Sequence, residues 1–318
     1  MAVRTPDVRA RGSAPPAEDP LAGALGMVPT VALADAVALP DILSVTLRGL
    51  DDRVSSAEAC RSILRQLPDA PAFLGEALLD IAAAADRSGL GNAYHNPVHS
   101  RDVGVIFANL MRLQALLASG TPKPDVTEFL TGCCAAFGHD VGHDGKEGGP
   151  DAEPFRLERI AAETVGGIME RHAVDFHLID RACCAIMATE VQNGYRALEE
   201  TGRGPLAKDA PDCLHGLAGR KNREIACLLR DADVMQSAGL TAEDHDRQTA
   251  RLERERGIPT HSMGARGADF FLKDLVKGRF LSAAGHVFQP RLDRLLKLNA
   301  LRARTQDASG GLAAFDRG

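Results

Sequence analysis

Between residues 57 and 302, apolar side chains return at three- and four-residue spacing in one segment after another, and no stretch settles into the strict alternation of a half-buried strand. The helical period covers 57–67, 71–87, 98–118, 125–137, 155–172, 175–200, 220–237, 241–256, 266–276 and 285–302. Turn-rich stretches at 142–154, 201–212 and 257–263 separate neighbouring segments. A chain built this way buries its apolar stripes helix against helix, so the expected fold class is all-α, a compact multi-helix domain over 39–305. Residues 1–38, rich in Ala, Pro, Gly and Arg with little periodicity, read as a flexible arm, and 306–318 as a short C-terminal tail.

Composition narrows the function classes. With 45% apolar and 25% charged residues the chain supports a sizeable core. A net charge of −6 supplies no global cationic field for nucleic acid or anionic lipid. Two tyrosines and no tryptophan make a poor stacking platform for single strands. No run approaches the roughly 20 apolar residues of a membrane span, and the first residues lack the apolar core of a secretory signal. The expectation is a cytoplasmic protein whose partner is a small molecule. The cysteines (Cys60, Cys133, Cys134, Cys183, Cys184, Cys213 and Cys227) include no CxxC and read as reduced, buried thiols.

Four of the ten histidines fall within two short clusters. The first is Tyr94-His95-Asn96-Pro97-Val98-His99-Ser100-Arg101-Asp102-Val103; the second is His139-Asp140-Val141-Gly142-His143-Asp144-Gly145. Neutral imidazole and carboxylate suit zinc, manganese and iron, and carboxylate oxygens serve magnesium as well. An adjacent His-Asp pair can offer its nitrogen to one ion and its carboxylate to two, the arrangement that clamps a phosphoryl group. Pro97 suits a helix's first turn, which places His99 in the helix and His95 and Asn96 on the loop entering it. Asp102, three residues beyond His99, is either the acceptor for its second ring N–H or an ordinary helix-surface carboxylate. A further ligand source lies in Leu228-Leu229-Arg230-Asp231-Ala232-Asp233-Val234-Met235, where Asp231 and Asp233 interrupt an apolar helix. Two residues apart they point about 200° from one another, so only one faces a shared site. The spacing does not choose between them.

These motifs resemble the catalytic domain of the class I 3′,5′-cyclic-nucleotide phosphodiesterases, an all-helical branch of the HD superfamily. That family's Tyr-His-Asn-x-x-His-Ala-x-Asp-Val motif matches 94–103 with Ser100 in place of Ala, and its His-Asp-x-x-His-x-Gly motif matches 139–145. Its Ala-Asp-Leu/Ile motif matches Ala232-Asp233-Val234, which selects Asp233 over Asp231 and leaves Asp231 expected to tolerate substitution. The resemblance implies a first metal, usually zinc, held by His99, His139, Asp140 and Asp233. It implies a second, usually magnesium or manganese, bridged by Asp140, with a bridging hydroxide attacking phosphorus. His95 matches the histidine that protonates the departing O3′, and His143 would orient or hydrogen-bond nearby. Glu190, in Ala188-Thr189-Glu190 where the family has Ala-Thr-Asp, would stand near the second metal's water. Glu170 falls where the family has an active-site Glu. The implied reaction is hydrolysis of a cyclic nucleotide, cyclic AMP or cyclic GMP, to the 5′-monophosphate, a signal-transduction activity. The alternatives are an HD phosphohydrolase acting on another phosphoester and a non-catalytic metal-binding helical module.

The departures fall in the metal motifs and, more seriously, at the base. Gly142 and Asp144 stand where the family has Asp and Pro, and Gln236 replaces an Asn three residues beyond the last metal Asp. The base-anchoring Gln has no clear equivalent: Phe280 falls near its position, and the neighbouring Gln289 reads as a surface residue.

Overall fold

The computed structural model describes residues 39–50, 53–119, 125–146, 153–206, 210–259 and 270–315, so the arm expected over 1–38 lies outside the described residues. Helices follow one another along them, with no strand among the described residues. They are α1 (Leu39–Leu50), α2 (Ser56–Arg65), α3 (Ala72–Arg87), α4 (Pro97–Ser119), α5 (Val126–Gly138), α6 (Arg156–Arg171), α7 (Phe176–Met187) and α8 (Asn193–Thr201). After a 3₁₀ turn at Asp212–Ala218 come α9 (Arg220–Ala238) and α10 (Ala242–Glu255), then a π turn at Phe271–Leu275, α11 (Ala283–His286) and α12 (Gln289–Phe315). The all-α expectation holds.

Several helices begin where side chains satisfy their first N–H groups. Ser55 and Glu58 form a reciprocal capping box on α2, and Asp125, Asp175 and Thr241 cap α5, α7 and α10. The long period read over 175–200 is broken in two. Glu190 accepts from the N–H groups of Asn193 and Gly194 and so starts a new helix, α8, after a turn through Ala188–Gln192. Helix α12 runs to Phe315, into the segment read as the C-terminal tail.

Helix α5 organises the core. Every residue from Phe129 to Gly138 is buried, as suits a helix apolar on all sides. It is surrounded by α3, α4, α6, α7 and α9. Where α4 and α5 cross, each presents a glycine to the other's ring. A Cβ on Gly104 would come within 2.6 Å of the Phe137 ring, and one on Gly132 within 2.3 Å of Phe107. The two buried rings each contribute about 1.5–3 kcal/mol through burial. The crossing draws the start of α4 and the end of α5 to the middle of α9, where the site lies.

Cys60, Cys133, Cys134 and Cys184 are buried free thiols, as expected, whereas Cys183 and Cys227 are half-buried and Cys213 is exposed.

Candidate metal centre

Three helices supply the centre, each for a local reason. Asn96 caps α4, its Oδ1 accepting from the N–H groups of Val98 and His99 at 3.0 and 3.2 Å, and Pro97 takes the first helical position. This fixes His99 in the first turn, buried. His139 and Asp140 follow at the C-terminal end of α5, where the backbone's partial negative charge favours a cation. Asp233 projects from the middle of α9.

The ligand atoms of His99, His139 and Asp233 all lie within 4.8 Å of one another. The His99 and His139 Nε2 atoms face each other at 3.2 Å, and Asp140 Oδ2 is 3.0 Å from the first and 3.4 Å from the second. His99 Nδ1 donates to Gln236 Oε1 at 2.7 Å and His139 Nδ1 donates to the Ala136 carbonyl at 2.9 Å. With both Nδ1 atoms carrying the proton, the two Nε2 lone pairs point at each other and at two carboxylates. Asp140 Oδ2 is buried and accepts no hydrogen bond. Facing lone pairs with an orphaned carboxylate oxygen call for a cation, so the residues fit a divalent metal. Burial opposes positive charge at this point, but the Asp140 and Asp233 carboxylates outweigh it, so the surroundings favour a cation.

The rest of the predicted set separates into near and far. His95 stands beside the cluster, its ring centroid 5.6 Å from that of His99 and its Nδ1 bonded to Glu255 Oε1 at 2.5 Å. Glu255 Oε2 also accepts from the backbone N–H groups of Tyr94 and His95, at 2.7 and 2.9 Å. Burial works against ionising Glu255, but the bonds from His95 and these N–H groups hold its pKa down to about 2. His143 stacks on His95 with ring centroids 3.8 Å apart and an 18° interplanar angle. Its Nδ1 accepts from Gly145 N–H, and burial lowers its pKa to about 4, so the ring is neutral. Glu190 is placed at the start of α8, where backbone N–H groups occupy its carboxylate. Glu170 is exposed on α6.

Two expectations are corrected. Asp102 is neither the His99 partner nor a surface carboxylate: it is buried and paired with Arg101 at 2.6 Å, and Gln236 takes the His99 N–H. Asp231 does point away from Asp233, but it is fully buried beside Arg230 and accepts from the backbone N–H groups of Leu281 and Ser282. A carboxylate so buried and bonded holds the loop after residue 276 to α9, so its substitution is now expected to destabilise.

No family model matches the chain. No curated protein matches it at a significant level. Solved structures do. The phosphodiesterase domain of the RhoPDE fusion protein from the choanoflagellate Salpingoeca rosetta aligns with a TM-score of 0.53 at 17% identity, covering 81% of this chain and 92% of that one. A second structure, of the phosphodiesterase domain of Salpingoeca rosetta rhodopsin phosphodiesterase, gives 0.51 at 18%, covering 82% and 89%. LmjPDEB1 in complex with IBMX gives 0.54 at 17%, covering 83% and 91%. The chain has the phosphodiesterase-domain fold.

Within this phosphodiesterase-type fold, the histidines and both aspartates line one cavity of about 200 Å³. Tyr195 closes the metal side, its hydroxyl donating to Asp233 Oδ2 at 3.3 Å. Leu252, Phe271 and Leu275 form an apolar stretch of the wall. Sequence reasoning missed Glu158, which also lines this cavity and whose pKa rises to about 7 through burial and the nearby Glu190, Asp140 and Asp233 charges. It missed Glu255 too, one carboxylate in the charged run Glu253-Arg254-Glu255-Arg256 and 160 residues from its histidine. Gln289 does not line the cavity. Its Oε1 accepts from Phe280 N–H, and its Nε2 donates to the Gly278 carbonyl and to Asp293.

Proposed function

We propose that this protein is a metal-dependent phosphodiesterase that hydrolyses 3′,5′-cyclic nucleotides to nucleoside 5′-monophosphates. The observation that carries the reading is the placing, beside one cavity, of the His99, His139, Asp140 and Asp233 cluster next to the His95–Glu255 dyad. The phosphodiesterase fold supports it, as does the close match of the two histidine motifs. The four cluster residues would hold zinc, with Asp140 also facing a second ion such as magnesium or manganese. When bound, such ions supply Lewis acidity toward phosphoryl oxygens and an activated water.

The chain's own groups do the remaining work. Glu255 accepts from His95 Nδ1, which leaves His95 Nε2 to carry the proton that the departing O3′ takes up. An anionic Glu255 also stabilises the imidazolium that must form before donation. Neutral His143, stacked on His95, holds the ring in plane without adding a competing charge. Gln236 and the Ala136 carbonyl fix the ring orientation of His99 and His139. Leu252, Phe271 and Leu275 suit the flat face of a nucleobase. Because Gln289 is occupied in bracing a loop, base discrimination should be weak.

A screen of cyclic AMP, cyclic GMP and linear phosphoesters, with manganese or magnesium added to chelator-treated protein, tests the reading. Turnover of cyclic nucleotides to 5′-monophosphates that disappears in Asp233→Ala is the expected result. Full metal content with hydrolysis of linear phosphoesters alone would replace it with a different phosphohydrolase.

A further inference from the structure

A second cavity, of about 290 Å³, lies on the other side of α10 from the metal centre. The described residues lining it include four arginines (Arg48, Arg101, Arg247 and Arg251) against two aspartates, Asp102 and Asp244. Both aspartates already have partners. Asp102 accepts from Arg101, and Asp244 accepts from Ser44, Thr241 and Arg247. Arg251 is half-buried and makes no hydrogen bond to a described residue; its charge reaches Asp102 only through space. Asp244, Gln248 and Arg251 share one face of α10 at four- and three-residue steps, so a rigid helix presents the unmatched guanidinium.

One amide on this cavity's wall adds an independent observation, the other, Gln248, leaving its buried Oε1 without a partner. Gln236 is 3% exposed, and its Oε1 is fully used by His99 Nδ1–H and the Tyr94 hydroxyl. Its Nε2 is buried with no partner. A buried N–H donor left unpaired is rare and costly. An oxygen acceptor entering this cavity would satisfy the donor and the guanidinium together.

We propose that this cavity binds a small oxyanion of the phosphate or carboxylate class, held by Arg251 and by Gln236 Nε2, and that its occupant acts on the metal centre. The coupling runs through one amide. An anion accepting from Nε2 polarises Gln236, which strengthens Oε1 as an acceptor of the His99 N–H and makes His99 Nε2 the better ligand. Anion and metal should therefore tighten each other's binding by the same factor. The binding half stands without any catalytic role; the coupling half rests on the reading of His99 as a metal ligand.

Calorimetric titration of inorganic phosphate and of succinate into the metal-loaded protein tests the binding half, with Arg251→Met, Arg251→Lys and wild type compared. Arg251→Met should weaken one binding event at least tenfold, with Arg251→Lys intermediate, because the guanidinium fork is lost before the charge is. Phosphate alone, succinate alone or both losing affinity identifies the oxyanion class. Affinities unchanged across the variants, or no binding at millimolar concentration by wild type, overturn the site. Chelator competition with and without saturating anion tests the coupling. Metal retention should improve severalfold in wild type and not in Arg251→Met, and an anion that binds without altering retention overturns the coupling. Neither measurement uses turnover, so loss of the proposed hydrolysis would leave both answers intact.

Discussion

His95 and His99 stand four residues apart, yet the backbone gives them different work. Asn96 and Pro97 end the loop and begin the helix between them, so His99 is locked in the first turn while His95 remains on the loop against Glu255. His95→Ala should keep near-normal metal content while kcat for a cyclic nucleotide falls by about 10²–10⁴. The loss should shrink on a nitrophenyl phosphodiester, whose leaving group departs without a proton. Metal loss in His95→Ala, or equal impairment on both substrates, would remove the general-acid assignment. Asp231 provides the opposite case. Asp231→Ala strands Arg230 in a fully buried position and removes the acceptor of two loop N–H groups. Denaturant titration should show a loss of about 3–5 kcal/mol, with metal retained by whatever remains folded. Wild-type stability would show that Arg230 finds other partners among the Val276 and Arg279 carbonyls it already touches.

At the scale of elements, the site depends on how closely α4 and α5 approach. Gly132→Ala would drive a methyl into the Phe107 ring and should cost about 1–3 kcal/mol, read as a lowered denaturation midpoint. Gly167→Ala, in α6 with nothing within 4 Å, is the matched comparison and should be neutral or stabilising by about 0.4–1 kcal/mol. Equal effects would mean that helix propensity, not the crossing, decides. The loop before α12 gives a second test. Gln289→Ala breaks the brace to Phe280 and Gly278 and should lower stability, while the ratio of kcat/KM for cyclic AMP and cyclic GMP stays nearly unchanged. A changed ratio would mean that this amide reads the base after all.

Across the whole molecule, the cluster ties the start of α4, the end of α5 and the middle of α9 into one point. A metal held there binds only the folded chain, so chelation should lower Tm, by the equivalent of about 2.7 kcal/mol if the free ion had stood at a hundred times its Kd. Asp233→Ala should abolish that difference. The helix of greatest length to carry no site residue, α12, and the other described helices contain no span long and apolar enough to cross a membrane.

The helical class, most helix positions and His99, His139 and Asp140 were legible in the amino-acid order, because apolar period and closely spaced His and Asp are local signals, whereas Asp233 was singled out only by the family resemblance. The break at Ala188–Gln192 was not, since Glu190 turns the chain by capping the helix that follows and the apolar period runs straight through it. Nor were the partners. Gln236 rather than Asp102 holds His99, Glu255 holds His95 from 160 residues away, and Glu158 enters the cavity from α6. Asp231 and Asp233 look alike as letters, and the order of residues shows only that they face apart. Which of them meets Arg230 and which the histidines is decided by the rotation of α9 about its axis. Packing against α4 and α7 sets that rotation, and no local signal encodes it.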